Sequence, residues 1–331
     1  MPADPGPDPG PGASPSRPRL AVLGTAHPHL ADHLRALAGR AEVVAVHEGR
    51  LPWSGAGPHP GLRGVPVVPD AAAALAGAQL ALVCATTAEH PELLTAVARA
   101  GLPVLVEKPL AAGLAGTQEL ADRLAAAGTA VTTAMFLRCA PALRRARSLL
   151  AEGRLGRLVA CDAWFTHPGL LDGLFTDAGA AWMRDARWGA RGAFADLGVH
   201  LVDLLRWLRP EAGLRVRGAV LHPPPDGLPG DAGGTALLDW GAVPAALHAG
   251  WLSRPGGVRL RLEGTRGTLQ VAGGELTLAT ADGTLTEAHR PPAAGDAMTA
   301  FLTGAGELAD VTDAVACARV LEEIAGAAVR G

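Results

Sequence analysis

The sequence contains no tyrosine, and its only lysine is Lys108. Arginine serves nearly every other cationic role, so the solitary ammonium raises the question of what a guanidinium could not do there. An ammonium is compact enough to approach a reacting oxygen and can lose its proton in a suitable site. Guanidinium stays charged and demands a planar partner. No uninterrupted apolar run reaches about 18 residues, which speaks against a membrane-spanning helix. Basic charge is not in excess: the net charge of -3 gives no general attraction to nucleic acid or anionic membrane. The four cysteines, Cys84, Cys139, Cys161 and Cys317, are scattered without metal-knuckle or redox-motif spacing. They read as reduced, mostly buried thiols of a cytoplasmic protein.

What is present suits a globular chain. Apolar residues make up 49% and charged residues 18% of 331, enough for two domains with separate cores. Residues 1–18 are rich in Pro, Gly and Asp and lack the basic start and apolar segment of a secretory signal. They read as a disordered tail.

From Arg19 the pattern alternates. Strands are expected at Leu20–Leu23, Glu42–Val46, Val65–Val68, Leu80–Cys84, Val104–Val106 and Ala130–Ala134. Helices are expected between them, one with its first turn at Pro28 and Leu30, Leu34 and Leu37 on its apolar face, and others at residues 71–75, 91–100 and 114–127. Such alternation predicts a parallel sheet covered on both faces, a Rossmann dinucleotide-binding domain over residues 19–137. Over 138–331 strand-like stretches dominate, at 159–165, 215–221, 235–240, 245–251, 259–263 and 267–271, with a last helix from about Thr312. The overall class is α/β, with a mostly antiparallel open sheet in the second domain.

The turn after the first strand reads Gly24-Thr25-Ala26-His27-Pro28-His29. A dinucleotide fold needs a tight strand-to-helix turn whose backbone amides meet a pyrophosphate. Gly24 holds the first glycine position of G-x-G-x-x-G, while Ala26 and His29 replace the others. Glu48, at the end of the second strand, either accepts hydrogen bonds from an adenosine ribose, favouring NAD over NADP, or faces water. Arg50 weakens that preference. His27, His29 and His33 have no carboxylate or cysteine nearby in sequence to complete a coordination shell, so no metal is expected.

Glu107-Lys108-Pro109 follows the strand Val104–Val106 directly. The carboxyl ends of strands open onto the ligand crevice of a doubly wound sheet, and Pro109 biases Lys108 towards an extended conformation. A second constellation is Gly192-Ala193-Phe194-Ala195-Asp196-Leu197-Gly198-Val199-His200. Asp196 and His200 stand four apart, on one helix face. They either act together on a substrate, with His200 accepting a proton near neutral pH, or Asp196 caps the helix and His200 is a core residue. Phe165, Phe175, Trp182, Arg184, Arg187 and Trp188 lie in the stretch 164–191, which is either a substrate wall or ordinary packing under a long loop.

Glu-Lys-Pro at 107–109 and the run at 192–203 together resemble the Gfo/Idh/MocA oxidoreductase family, relatives of glucose-fructose oxidoreductase and inositol dehydrogenase. Glu-Gly-Arg-Leu-Gly at 152–156 and Glu-Gly-Thr-Arg-Gly-Thr-Leu at 263–269 add weaker matches. The resemblance implies hydride transfer between NAD(P) and a sugar, cyclitol or similar polyol, and a homo-oligomer built through the C-terminal sheet. It implies Lys108 at the reacting oxygen, His200 as general acid/base, and Asp196 orienting it or holding a neighbouring hydroxyl. Thr86, Thr87 and His90 would lie in a loop near the nicotinamide, alongside Glu107. Arg138 would lie near the substrate, beside the candidate wall that holds Trp182. The family has proline where this chain has Thr86. A non-catalytic ligand sensor on the same fold, and an enzyme that oxidises and re-reduces one substrate with a tightly held cofactor, are the competing readings.

Overall fold

The computed structural model describes residues 17–55, 59–175, 179–189, 191–227 and 229–330. Residues 1–16 of the expected tail lie outside them. The first sheet is parallel, in the order β2-β1-β3-β4-β5. Its strands are β1 (Arg19–Leu23), β2 (Glu42–His47), β3 (Leu80–Val83), β4 (Val104–Val106) and β5 (Val131–Thr133). Leu20–Leu23, Ala81–Val83 and Val104–Val106 are wholly buried, the continuous apolar runs of a sheet covered on both sides. Helices α1 (Leu30–Leu37), α2 (Ala71–Leu75), α3 (His90–Ala100) and α4 (Gly113–Ala126) connect them. The Asp70 carboxylate caps α2 through Ala73 N–H at 2.8 Å, and Gly101 ends α3 in the left-handed region.

The strand expected at Val65–Val68 is reduced to one parallel bridge, Val46 to Val67. Val46 N–H donates to Pro66 O at 2.9 Å and Val68 N–H to Val46 O at 2.8 Å. Pro66 and Pro69 bring no N–H, so the ladder cannot lengthen.

The second sheet has nine strands, in the order β13-β12-β11-β10-β6-β9-β8-β7-β14. They are β6 (Leu158–Thr166), β7 (Leu214–His222), β8 (Gly233–Trp240), β9 (Val243–Gly250), β10 (Gly257–Gly264), β11 (Gly267–Ala272), β12 (Glu275–Thr280), β13 (Gly283–Ala288) and β14 (Ala328–Arg330). Pairing is antiparallel except for β6–β9 and β7–β14. Four helices belong to this half: α5 (Pro141–Ala151), α6 (Ala193–Leu208), α7 (Gly295–Thr303) and α8 (Val311–Ala327). Sequence patterning missed β12, β13, β14 and α7. The outer hairpin is rich in Thr and Ala, and β13 is largely exposed, so apolar alternation is faint there.

Helix α6 packs on β6, β8 and β9, and α8 packs on β7, α6 and α4. The last helix therefore touches both sheets. At the same junction Arg138 is buried, not turned to a ligand. Its guanidinium grips Asp203 of α6 through Nε–Oδ2 at 2.8 Å and Nη2–Oδ1 at 2.6 Å. Its Nη1 lies 2.9 Å from Asp313 of α8. Although burial opposes the charged form, the two carboxylates hold this guanidinium's pKa above its usual value. Arg138→Ala would leave Asp203 buried without its cation and should cost about 3–5 kcal/mol. The denaturant midpoint checks this, with substrate KM unchanged in the folded fraction.

Candidate active site

The carboxyl ends of β1, β3 and β4 meet above the first sheet. Gly24 leaves β1 at a φ of +85°, and a Cβ there would stand 2.3 Å from Ala85 Cβ, so glycine is required by both torsion and space. His27 N–H donates to Cys84 O at 3.1 Å, tying the turn to the end of β3.

From the end of β4, Lys108 crosses to the second half of the chain. Its Nζ donates to the carboxylate of Asp196 and, at 3.2 Å, to the Asp196 carbonyl. The other carboxylate oxygen accepts Trp251 Nε1–H at 3.0 Å. Lys108 is 3% exposed. Burial alone would raise the Asp196 pKa, but Lys108, helped by Trp251, outweighs it and holds the carboxyl at about 2. Its place in the first turn of α6 also favours the anion.

His200 lies one turn further along α6. Its ring is buried edge-on to Phe136 at 4.8 Å and to Phe165 at 5.5 Å. Neither ring nitrogen has a hydrogen-bond partner among the described residues. Burial, reinforced by Lys108, keeps its pKa well below the usual imidazole value. It is a neutral ring with an unused acceptor. The expected pairing of Asp196 with His200 is absent: Asp196's oxygens go to Lys108 and Trp251, so the carboxylate orients the lysine. Both residues face one cavity of about 640 Å³, together with Lys108, His27, His29 and His167.

Glu107 turns the other way. Fully buried, it receives His33 Nε2 at 2.7 Å and His29 Nδ1 at 3.1 Å on Oε1. Its Oε2 accepts Lys108 N–H at 3.2 Å and lies 3.7 Å from His27 Nε2. Burial pushes this carboxyl up, but the imidazoles overcome it and hold it well below the usual range. The carboxylate absent from the sequence neighbourhood of the histidines thus comes from β4.

The remaining expected residues spread out. Thr87 and Trp182 line a second cavity, of about 540 Å³, that meets the first at His27, Lys108, Asp196 and Met183. Trp182 Nε1–H donates to Ala26 O at 3.1 Å, clasping the turn. Thr86 donates its hydroxyl to Glu89 at 2.7 Å. The Nδ1 of His90 sits 3.1 Å from Pro109 O and 3.2 Å from Leu110 O, bracing the Lys108 loop. Gly24, Thr25, Ala26, Glu48, Thr86, His90 and Arg138 line neither cavity. Phe165 and Phe175 wall the cavity that holds His200, Phe175 stacking on Trp251 at 4.0 Å. Arg184 is taken by Asp226 and Arg187 by Asp185. Sequence reasoning missed Trp251 and His167, which no local motif marks.

A dinucleotide would need an acid at the end of β2 and amides at the start of α1. Glu48 is half-buried, and its carboxylate makes no hydrogen bond among the described residues, so it suits a ribose. The turn is less generous: Pro28 has no N–H, and that of His27 is already bonded to Cys84 O. The residues fit the nucleoside end well and offer the phosphates fewer amides than a glycine-rich turn. Among the described residues no helix is long and apolar enough to cross a membrane.

Two family models match the chain. Residues 19–135 match the one described as "Oxidoreductase family, NAD-binding Rossmann fold". Residues 143–270 match "GFO/IDH/MocA C-terminal domain". The chain is 35% identical over 131 residues to 1,5-anhydro-D-fructose reductase of Ensifer adhaerens, covering 39% of this chain and 37% of that protein. It is 37% identical over 147 residues to inositol 2-dehydrogenase of Streptomyces avermitilis, covering 42% and 41%. These matches span well under half of each relative. An inositol dehydrogenase homolog from Azotobacter vinelandii, complexed with NAD+, superposes with a TM-score of 0.76 at 17% identity, covering 95% of both chains. A 3-ketoreductase from Actinomadura kijaniata, complexed with NADP and TDP-benzene, gives 0.75 at 23%, covering 95% and 99%. At such identities the superpositions show the fold. The two matched segments account for both halves of the architecture, and the chain belongs to the Gfo/Idh/MocA oxidoreductase family.

Proposed function

We propose that the protein is an NAD(P)-dependent oxidoreductase acting on a hydroxyl-bearing or carbonyl carbon of a sugar, cyclitol or related polyol. One observation carries this reading: the only ammonium side chain, a carboxylate and a neutral imidazole converge on one cavity wall from opposite halves of the chain. When bound, the nicotinamide supplies the hydride acceptor or donor. In the oxidising direction His200 takes the substrate's hydroxyl proton on a ring nitrogen that has no other partner among the described residues. Lys108 donates a hydrogen bond to the same oxygen and stabilises the charge that grows there. Asp196 and Trp251 are positioning residues that aim the ammonium. Phe165 and Phe175 offer apolar surface to the C–H face of a ring and exclude water.

Glu48 supports NAD over NADP, since a 2′-phosphate beside its carboxylate meets like charge. A second reading, a ligand sensor without turnover, draws on the shortage of phosphate-facing amides at Pro28 and His27.

A panel of cyclitols and sugars with NAD or NADP, monitored by reduced-cofactor absorbance, separates the readings. Turnover is expected with at least one polyol, and Lys108→Ala should lower kcat by roughly a hundredfold or more without unfolding the chain. Near-normal turnover in that variant would remove the mechanism. Substrate binding with no turnover across the panel would favour the sensor. In the same assay Glu48→Ala should lower kcat/KM for NAD relative to NADP; an unchanged ratio would mean Glu48 does not meet the ribose.

A further inference from the structure

Hydride transfer uses Lys108, Asp196 and His200, and leaves the cluster beneath the first turn unexplained. Glu107 is a fully buried carboxylate whose only charged-type partners among the described residues are the imidazoles of His27, His29 and His33. Burying a carboxylate is costly unless it is paired and fully hydrogen-bonded. His27 is buried too, and its Nε2 points at the carboxylate from 3.7 Å, too far to be bonded, with no hydrogen-bond partner among the described residues.

We propose that His27 Nε2, His29 Nδ1 and a carboxylate oxygen of Glu107 bind one divalent transition-metal ion. The three ligand atoms lie within 4.8 Å of one another. Metal–ligand bonds of about 2.1 Å place the ligands of a tetrahedral ion about 3.4 Å apart. His29 Nδ1 stands 3.1 Å from Oε1 and His27 Nε2 3.7 Å from Oε2, so each imidazole is near that spacing from its own oxygen of the Glu107 carboxylate. Two imidazoles and a carboxylate suit zinc, cobalt and iron better than the hard cations magnesium and calcium. His33, 2.7 Å from Glu107, is the outer partner that fixes the carboxylate.

Coordination at His27 Nε2 sends the ring proton to Nδ1. That gives up the bond Nδ1 accepts from His29 N–H at 3.2 Å, and ligation through His29 Nδ1 gives up its 3.1 Å bond to Glu107, two hydrogen bonds against a three-ligand chelate. His29 is partly exposed and lines the cavity shared with Lys108 and His200, so the ion has an entry path. Its open position faces that cavity and takes water or a substrate oxygen. The turn that has lost its second and third glycines has gained a metal ligand at each of the two histidines.

The test is a Co²⁺ titration of the full-length protein after chelator treatment, without cofactor or substrate. One equivalent should bind, with the visible absorption of a low-symmetry site, and Zn²⁺ should displace it and abolish the band. His29→Gln and Glu107→Gln should each weaken binding more than about 100-fold, and His33→Gln about 10- to 100-fold. His167→Gln, an imidazole of the same cavity outside the trio, should bind as wild type. Absence of the band in wild-type protein with native circular dichroism overturns the proposal, and so does His29→Gln binding as tightly as wild type. Either failure leaves the hydride-transfer reading untouched, because the readout involves neither cofactor nor turnover.

Discussion

The contact between Lys108 and Asp196 joins the carboxyl edge of the parallel sheet to the first turn of α6, and the arrangement of the proposed active centre depends on it. A buried ion pair gains little net energy unless its remaining hydrogen-bonding capacity is met. Here most of it is met: Trp251 takes the second carboxylate oxygen, and the Asp196 carbonyl receives the same ammonium. A second charged link, Arg138 to Asp203 and Asp313, ties α6 and α8 together near the same junction. With α6 held at two points, His200 is delivered to the cavity wall as a matter of helix geometry, one turn beyond Asp196.

Much of this was legible from local spacing. Buried strands alternating with amphipathic helices announce a doubly wound sheet, Glu-Lys-Pro at a strand end marks the crevice, and an i, i+4 pair marks a helix face. What was not legible is long-range. Trp251 follows β9, 55 positions beyond Asp196, and nothing around it in sequence links the two. The hydrogen-bond partners of Glu107, His29 and His33, lie 78 and 74 positions away, and only the crossing from β1 to β4 brings them together. Nor does the position of Arg138 in the sequence show that its guanidinium pairs with Asp203 and Asp313. The strand at Val65–Val68 failed for a reason present in the sequence: two prolines withhold the donors a ladder needs.

The turn at residues 24–29 combines conservation of geometry with a change of chemistry. Gly24 keeps the torsion and close approach that the sheet demands, yet the next positions carry imidazoles and a proline in place of small residues. Dispensing with amide donors and gathering imidazoles around a buried carboxylate alters what the turn can hold, while the Lys108 site beside it keeps its form.

The Lys108–Asp196 pair is tested most directly by a double-mutant cycle on unfolding free energy, with Lys108→Met, Asp196→Asn and the double variant, measured from neutral to acid pH. A carboxyl held at about 2 in the fold and near ~3.9 in the unfolded chain contributes fully above about pH 4 and less as acid protonates it. A coupling of about 2 kcal/mol or more at pH 7 is predicted, shrinking as pH falls from about 4 towards about 2. Additivity within about 0.3 kcal/mol at pH 7 would contradict the pairing on which the active centre is built.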